Sequence, residues 1–185
     1  MTNRTLYLIA CAAPPARRID TGVRAAQSAG WDVCLILTPS ARRWATEDAH
    51  GELDRLAGLT GHPVRHQHRL PSQEDVLPAP DAMLVAPLTS NTLNKWAAGI
   101  SDTLALGLLV EGIGLGLPIV ALPHWNEALG RHPAVPRSVE TLRAAGVTVL
   151  LDDGLVPQQP RPGGSDAYPW QAAVNALPSL PTPKP

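Results

Sequence analysis

Pro87-Leu88-Thr89-Ser90-Asn91-Thr92 lies between two segments of different periodicity, and its reading decides the fold. Before it, Met83-Leu84-Val85-Ala86 is short, apolar and bounded by the turn-prone Pro80-Asp81, as a strand buried on both faces would be. After it, Leu93, Trp96, Ala97 and Ile100 recur at helical spacing. The polar run therefore falls where a strand ends and a helix begins. In open parallel sheets that edge is where ligands bind. Hydroxyls, an amide and free helix N–H groups together suit a phosphate or a polar ring edge. A helix cap needs only one Ser or Thr, and four polar residues in a row exceed that. A cap and a ligand site are both open readings at this point.

Working outward, the same alternation repeats. Leu6 to Cys11 and Val33 to Leu37 read as buried strands, followed by helices through Ile19, Val23 and Ala26 and through Ala41, Trp44 and Ala45. Gly30 is placed to stop the first helix, and Thr38-Pro39-Ser40 carries the start signals of the second. A helix near Leu53 to Leu59 and a short strand at Val64 precede a Pro-rich connection from Leu70 to Pro80. Leu104 to Val110 is apolar around its whole circumference, which suits a central helix or a subunit interface. Pro118 to Leu122 and Val147 to Leu151 are the last strands, with a helix through Val139, Leu142 and Ala145 closed by Gly146. Gly112, Gly114 and Gly116 precede a strand, so they are no dinucleotide fingerprint. The pattern predicts a doubly wound, mostly parallel α/β sheet with helices on both faces. One domain covers 1–152, and a Pro/Gly-rich segment with a short helix through Ala173 and Leu177 covers 153–185. The end from Pro178 to Pro185 is expected to be loose.

Composition narrows the function classes. In 185 residues of net charge −1 there is no basic block, so a nucleic-acid partner has no footprint. No apolar stretch is long enough to span a membrane, and no secretory signal is recognisable. Cys11 and Cys34 fall in strand-like segments, as buried free thiols do, and a cytoplasmic protein fits.

Pro87-Leu88-Thr89-Ser90-Asn91-Thr92 also resembles the Pro-Ala-Ser-Ala-Asn-Thr signature of the homo-oligomeric flavin-containing cysteine decarboxylases, a family that takes in phosphopantothenoylcysteine and peptidyl-cysteine decarboxylases. Asn94 to Leu104 extends the likeness through an Asn-Gly-Ile-Cys-Asp-Asn-Leu type segment. The resemblance implies a flavodoxin- or Rossmann-like fold, bound FMN and assembly as trimers or multiples of trimers. It also implies oxidation of a cysteine thiol followed by loss of the neighbouring carboxylate, on a peptide C-terminal cysteine or a cysteine-containing small molecule. By the same resemblance, Thr38 and Ser40 turn toward the phosphate and Ser90 and Asn91 toward the flavin. Ser101 and Asp102 turn toward the ribityl chain or phosphate loop, and Ala12, Pro87, Thr89 and Thr92 complete the cofactor set.

Two departures from the family pattern bear on the chemistry. Pro123-His124-Trp125-Asn126-Glu127-Ala128-Leu129-Gly130 stands where the family shows the substrate clamp Pro-x-Met-Asn-x-x-Met-Trp. Asn126 is kept, while Trp125 lines a changed pocket and His124 is new. Counting back from Pro87 places Gln73 where the family has its active-site histidine. Glutamine can orient a substrate but cannot take a proton near pH 7. His68 or His124 would then supply the proton, beside Asn91. The alternative is an FMN-binding member that no longer decarboxylates and serves as a binding or regulatory subunit. His62, His66 and His68 cluster and His66-x-His68 has strand spacing for a metal, but no Cys or carboxylate with matching spacing lies close, and no metal is expected.

Overall fold

A computed structural model describes residues 4–47, 51–74, 76–151 and 168–179. Five parallel strands form one sheet: β1 (Thr5–Ala10), β2 (Asp32–Leu37), β3 (Ala82–Leu88), β4 (Ile119–Pro123) and β5 (Thr148–Val149). Their spatial order is β2-β1-β3-β4-β5, the doubly wound order whose switch point lies between β1 and β3. Across that crevice the Cys11 N–H donates to Pro87 O at 3.0 Å.

Strand periodicity splits the core in two. Leu6, Leu8 and Ala10 of β1, with Leu84 and Ala86 of β3, face one layer. Tyr7, Ile9, Met83 and Val85 face the other. Apolar side chains on both faces explain why these strands are unbroken hydrophobic runs. Each such Leu or Ile buried contributes roughly 1.5–3 kcal/mol.

The helices divide the same way. α1 (Ile19–Ser28), α3 (Glu52–Thr60) and α8 (Trp170–Asn175) cover the first layer, together with α2 (Pro39–Glu47). α4 (Ser90–Ala97), α5 (Leu104–Gly114) and α7 (Ala134–Ala144) cover the second. A 3₁₀ turn (Pro14–Arg18) leads into α1, and α6 (Glu127–Gly130) is a single turn after β4. Gly30 and Gly146 take φ of 88° and 90° just past α1 and α7, the left-handed stop their positions called for.

The expected elements return with shifted ends. β3 runs on through Pro87 to Leu88, and its ladder with β4 shifts register between Val85 and Leu88, where proline has no N–H to give. The Ala86–Pro87 peptide is cis. α4 stops at Ala97 rather than reaching Ile100, which lies 42% exposed after Gly99. The strand expected at Val64 is a single parallel bridge between Ile36 and Arg65. β5 keeps only two of its five expected residues. The Pro/Gly-rich stretch over 152–167 and the chain end over 180–185 lie outside the described residues.

Candidate functional site at the carboxyl edge of the sheet

Three strand-to-helix junctions meet at the switch point around a cavity of about 420 Å³, within the usual range for small-molecule sites. Cys11 and Ala12 come from the end of β1, and Thr38, Pro39 and Ser40 from the end of β2. Thr89, Ser90, Asn91 and Thr92 come from the end of β3 and the first turn of α4. Lys95, Thr103 and Leu106 close one side, and Leu129 of α6 closes another.

Capping accounts for only part of this polar ring. Thr89 Oγ1 accepts the Thr92 N–H at 3.4 Å and so caps α4; Thr38 Oγ1 accepts the Ala41 N–H at 3.4 Å in α2. Thr103 does the same for α5 through the Leu106 N–H at 3.2 Å. Thr92 turns inward to Cys11, whose Sγ lies 3.3 Å from Thr92 Oγ1. Ser40, Ser90 and Asn91 hold no side-chain hydrogen bond among the described residues, and all three line the cavity. After those caps, the Ser40 N–H in α2 and the Ser90 and Asn91 N–H groups in α4 are the leading donors with no partner inside their helices, and all three residues line the cavity. Lys95, one turn beyond Asn91, pairs with Asp102 and sets a cation at the lip.

Cys11 is 1% exposed, and burial pushes its thiol up, with the Thr92 and Thr89 contacts pulling the other way by less. Cys34 is also buried and free, its thiol pushed up to about 12 by burial and by Asp32. Cys11 thus stands at the foot of the cavity as a protonated group at neutral pH.

A family model described as Flavoprotein matches residues 6–175. The chain belongs to the Flavoprotein family. Phosphopantothenoylcysteine decarboxylase of Mus musculus is 42% identical over 66 residues, 36% of this chain and 32% of that protein. The coenzyme A biosynthesis bifunctional protein CoaBC of Bacillus subtilis is 30% identical over 118 residues, 64% of this chain and 28% of that protein. The chain thus spans about a third or less of the length of these curated relatives. Among solved structures, the FMN-dependent cysteine decarboxylase TvaF from thioviridamide biosynthesis superposes with a TM-score of 0.68 at 22% identity, covering 95% of this chain and 98% of that one. The epidermin biosynthesis protein EpiD of Staphylococcus aureus gives 0.64 at 18% identity, over 79% and 81%. These likenesses place the fold among the flavodoxin-like α/β proteins.

In this Flavoprotein-family chain, the other candidates from the sequence fall outside the cavity lining. Pro87 lies in β3 and meets the site through its carbonyl bond to Cys11. Ser101 and Asp102 are exposed on the loop before α5, which meets the cavity through Thr103 and through the pairing of Asp102 with Lys95. Asn126 caps α6, its Oδ1 accepting the Leu129 N–H at 2.9 Å, so its Nδ2 donors remain available. Trp125 is buried in the second core layer. Gln73 is exposed; its Oε1 accepts the Leu70 N–H at 2.9 Å. It shares a separate cavity of about 490 Å³ with His66 and His68. His68 lies close to Gly107 of α5. His124 is half-buried, its ring centroid 6.0 Å from that of Tyr168, whose hydroxyl donates to Leu122 O at 2.6 Å. Burial lowers the His124 imidazole, and its Nε2 has no partner among the described residues. Lys95, Thr103 and Leu106 are the lining residues the motif did not announce. Lys95 was readable as the residue four positions after Asn91 on the same helix face.

Proposed function

We propose that this chain binds FMN noncovalently in the cavity at the switch point and uses it for oxidative decarboxylation of a cysteine carboxylate. The substrate class is a peptide with a C-terminal cysteine or a cysteine-containing small molecule. One observation carries the cofactor half. Thr38, Thr89 and Thr103 cap their own helices and Thr92 turns to Cys11, which leaves Ser40, Ser90 and Asn91 unspent around a space of cofactor size. The Flavoprotein match and structural neighbours that are FMN-dependent cysteine decarboxylases support the chemistry.

Ser40, through its hydroxyl and its backbone N–H at the start of α2, would take the phosphate, with Thr38 behind it. Ser90 and the Asn91 amide offer donors and acceptors to the polar edge of the ring system, and Ala12 and Leu106 offer apolar contact. Lys95, held by Asp102, adds positive charge at the mouth, with Ser101 beside that pair. Bound FMN supplies a two-electron oxidation of the substrate thiol, which makes the adjacent carboxylate able to leave. The Nδ2 donors of Asn126 would hold that carboxylate, and Leu129 would exclude water from one side.

A second reading, an FMN holder that no longer decarboxylates, is favoured by the placement of the proton carriers. Gln73, His68 and His124 all lie away from the cavity lining in the single chain. Copies of the chain assembled as a homotrimer or a multiple of trimers belong to the first reading, because α5 leaves Leu104, Leu108, Val110 and Ile113 only partly buried against the second core layer in one chain. Two buried free thiols accord with a reducing, cytoplasmic setting.

Recombinant protein supplied with FMN is expected to copurify with the visible flavin absorbance, and Asn91→Asp to weaken binding by about 1 kcal/mol or more. Protein that stays colourless sinks the cofactor reading. Carbon dioxide release from cysteine-ended peptides then separates the two readings, measured for wild type, Gln73→His, His68→Ala and His124→Ala. Loss of activity in either alanine variant assigns the proton carrier. An inert wild type that gains turnover with Gln73→His establishes the FMN holder.

A further inference from the structure

A further cavity, of about 550 Å³, lies across the first turn of α2 from the flavin cavity. The chain passes between the two. Thr38, Pro39 and Ser40 line the flavin cavity, whereas Leu37, Ala41, Trp44 and Ala45 line the further one. After β1, Cys11 and Ala12 line the first space, and Ala16 to Asp20 line the second. The β1–α1 connection and the start of α2 are therefore a common wall. Ser40, the phosphate seat on one side, is next in sequence to Ala41 on the other.

The lining of this further cavity combines three kinds of group. Ile19, Leu37, Ala41 and Leu56 are buried and make an apolar floor. Trp44 carries the Arg17 guanidinium over its ring, 5.6 Å from the centroid. An indole and a guanidinium plane both accept a stacked purine. At the rim, Arg55 Nε and Nη2 each donate to the Glu52 carboxylate at 2.7 Å, and Arg55 Nη1 lies 3.7 Å from the Asp20 carboxylate. That bridge ties α3 to α1 and fixes two carboxylates, which accept from ribose hydroxyls or an exocyclic amine. With Arg17, Arg18 and Arg55 against Asp20 and Glu52, the lining is net positive, as a phosphate requires. An apolar floor alone would suit any hydrocarbon group. A stacking wall, fixed carboxylate acceptors and surplus positive charge together suit a purine nucleotide.

We infer that this cavity takes the adenylate half of flavin adenine dinucleotide (FAD), whose flavin half sits where FMN is placed above. The inference rests on that reading of the flavin cavity and extends it. One joined ligand is favoured over two because Ser40 and Ala41 are consecutive, about 3.8 Å apart at Cα, so a phosphate at Ser40 already stands at the common wall. The second phosphate continues toward Arg17 and Arg18, the adenine stacks on the Trp44–Arg17 wall, and the ribose hydroxyls donate to Asp20 or Glu52.

The experiment titrates apoprotein with FMN and with FAD and follows flavin fluorescence. FAD is expected to bind roughly tenfold more tightly than FMN. Trp44→Ala removes the stacking wall, and Ala45→Trp fills the cavity from its rim. Both are expected to bring FAD down to the affinity of FMN and to leave FMN binding unchanged, with circular dichroism confirming each fold. Equal affinities in wild type, or variants that weaken both flavins alike, overturn the adenylate site while the FMN reading stands. AMP that binds FMN-loaded protein as tightly as FAD binds apoprotein overturns the joined cofactor in favour of a separate nucleotide. If Trp44→Ala fails to fold, Ala45→Trp alone decides. Wild type that takes up neither flavin removes this inference and the FMN reading together.

Discussion

His124 shows how one side chain carries a stability signal independent of any ligand. It sits at the carboxyl end of β4, and burial holds its imidazole below the ordinary value of about 6.5. The unfolded chain takes up this proton near pH 6.5, whereas the folded chain does so only at lower pH. Between those two values the unfolded state binds more protons, so stability is complete above about pH 6.5 and falls as the pH drops below it. His66 adds to the same trend, lowered by burial and by Arg42 and Arg65. Denaturant midpoints at pH 7.5 and 5.5 are expected to differ more in wild type than in His124→Phe, which keeps a ring against Tyr168 but cannot titrate. Equal differences in the two proteins would show that His124 contributes nothing to acid sensitivity. At this scale the sequence was informative where chemistry exceeded local need. Ser90 and Asn91 were surplus to capping, and they do line the cavity. Gln73, His68 and His124 were not placeable, because a Pro-rich connection and a single-turn helix take their paths from packing that no local pattern encodes.

Whole elements were easier to read than their ends. Buried parallel strands announce themselves as apolar runs, and β1 to β4 were recognisable for that reason. β5, an edge strand paired only with β4, keeps two residues, whereas β2 at the other edge keeps all six of its ladder with β1. The packing of α8 against α1 was not legible, since it depends on a gap in α1 at Gly22. A Cβ there would come within 2.4 Å of the Trp170 ring. Gly22→Ala gains up to about 1 kcal/mol of helix propensity but forces a buried Trp170 aside, at a cost of roughly 1–3 kcal/mol. We expect a net loss, seen as a lower Tm. An unchanged or higher Tm would show that α8 gives way freely. α5 makes the second case. Its apolar circumference was visible in the sequence, and the structure buries only Ala105, Leu106, Leu109 and Gly112 fully.

For the molecule as a whole, the switch point between β1 and β3 follows from strand order and was implied by the alternation of strands and helices. Assembly is the property a single chain leaves to experiment. The partly buried apolar face of α5, with Leu115 67% exposed beyond its end, predicts a symmetric homo-oligomer at micromolar concentration, most simply a trimer. Light scattering should report that mass for wild type and a smaller one for Leu108→Glu, and a monomeric wild type would remove the idea. The seat of α8 on α1 also bears on biosynthesis. Tyr168, Trp170, Ala173, Val174 and Leu177 belong to the same core layer as Leu6, Leu8 and Val23. At a translation rate of about 5–20 residues per second, α1 leaves the ribosome many seconds before the side chains that cover it exist. During that interval the nascent chain carries an uncovered apolar notch at Gly22. Chaperone occupancy on stalled nascent chains should therefore persist until Leu177 has cleared the exit tunnel.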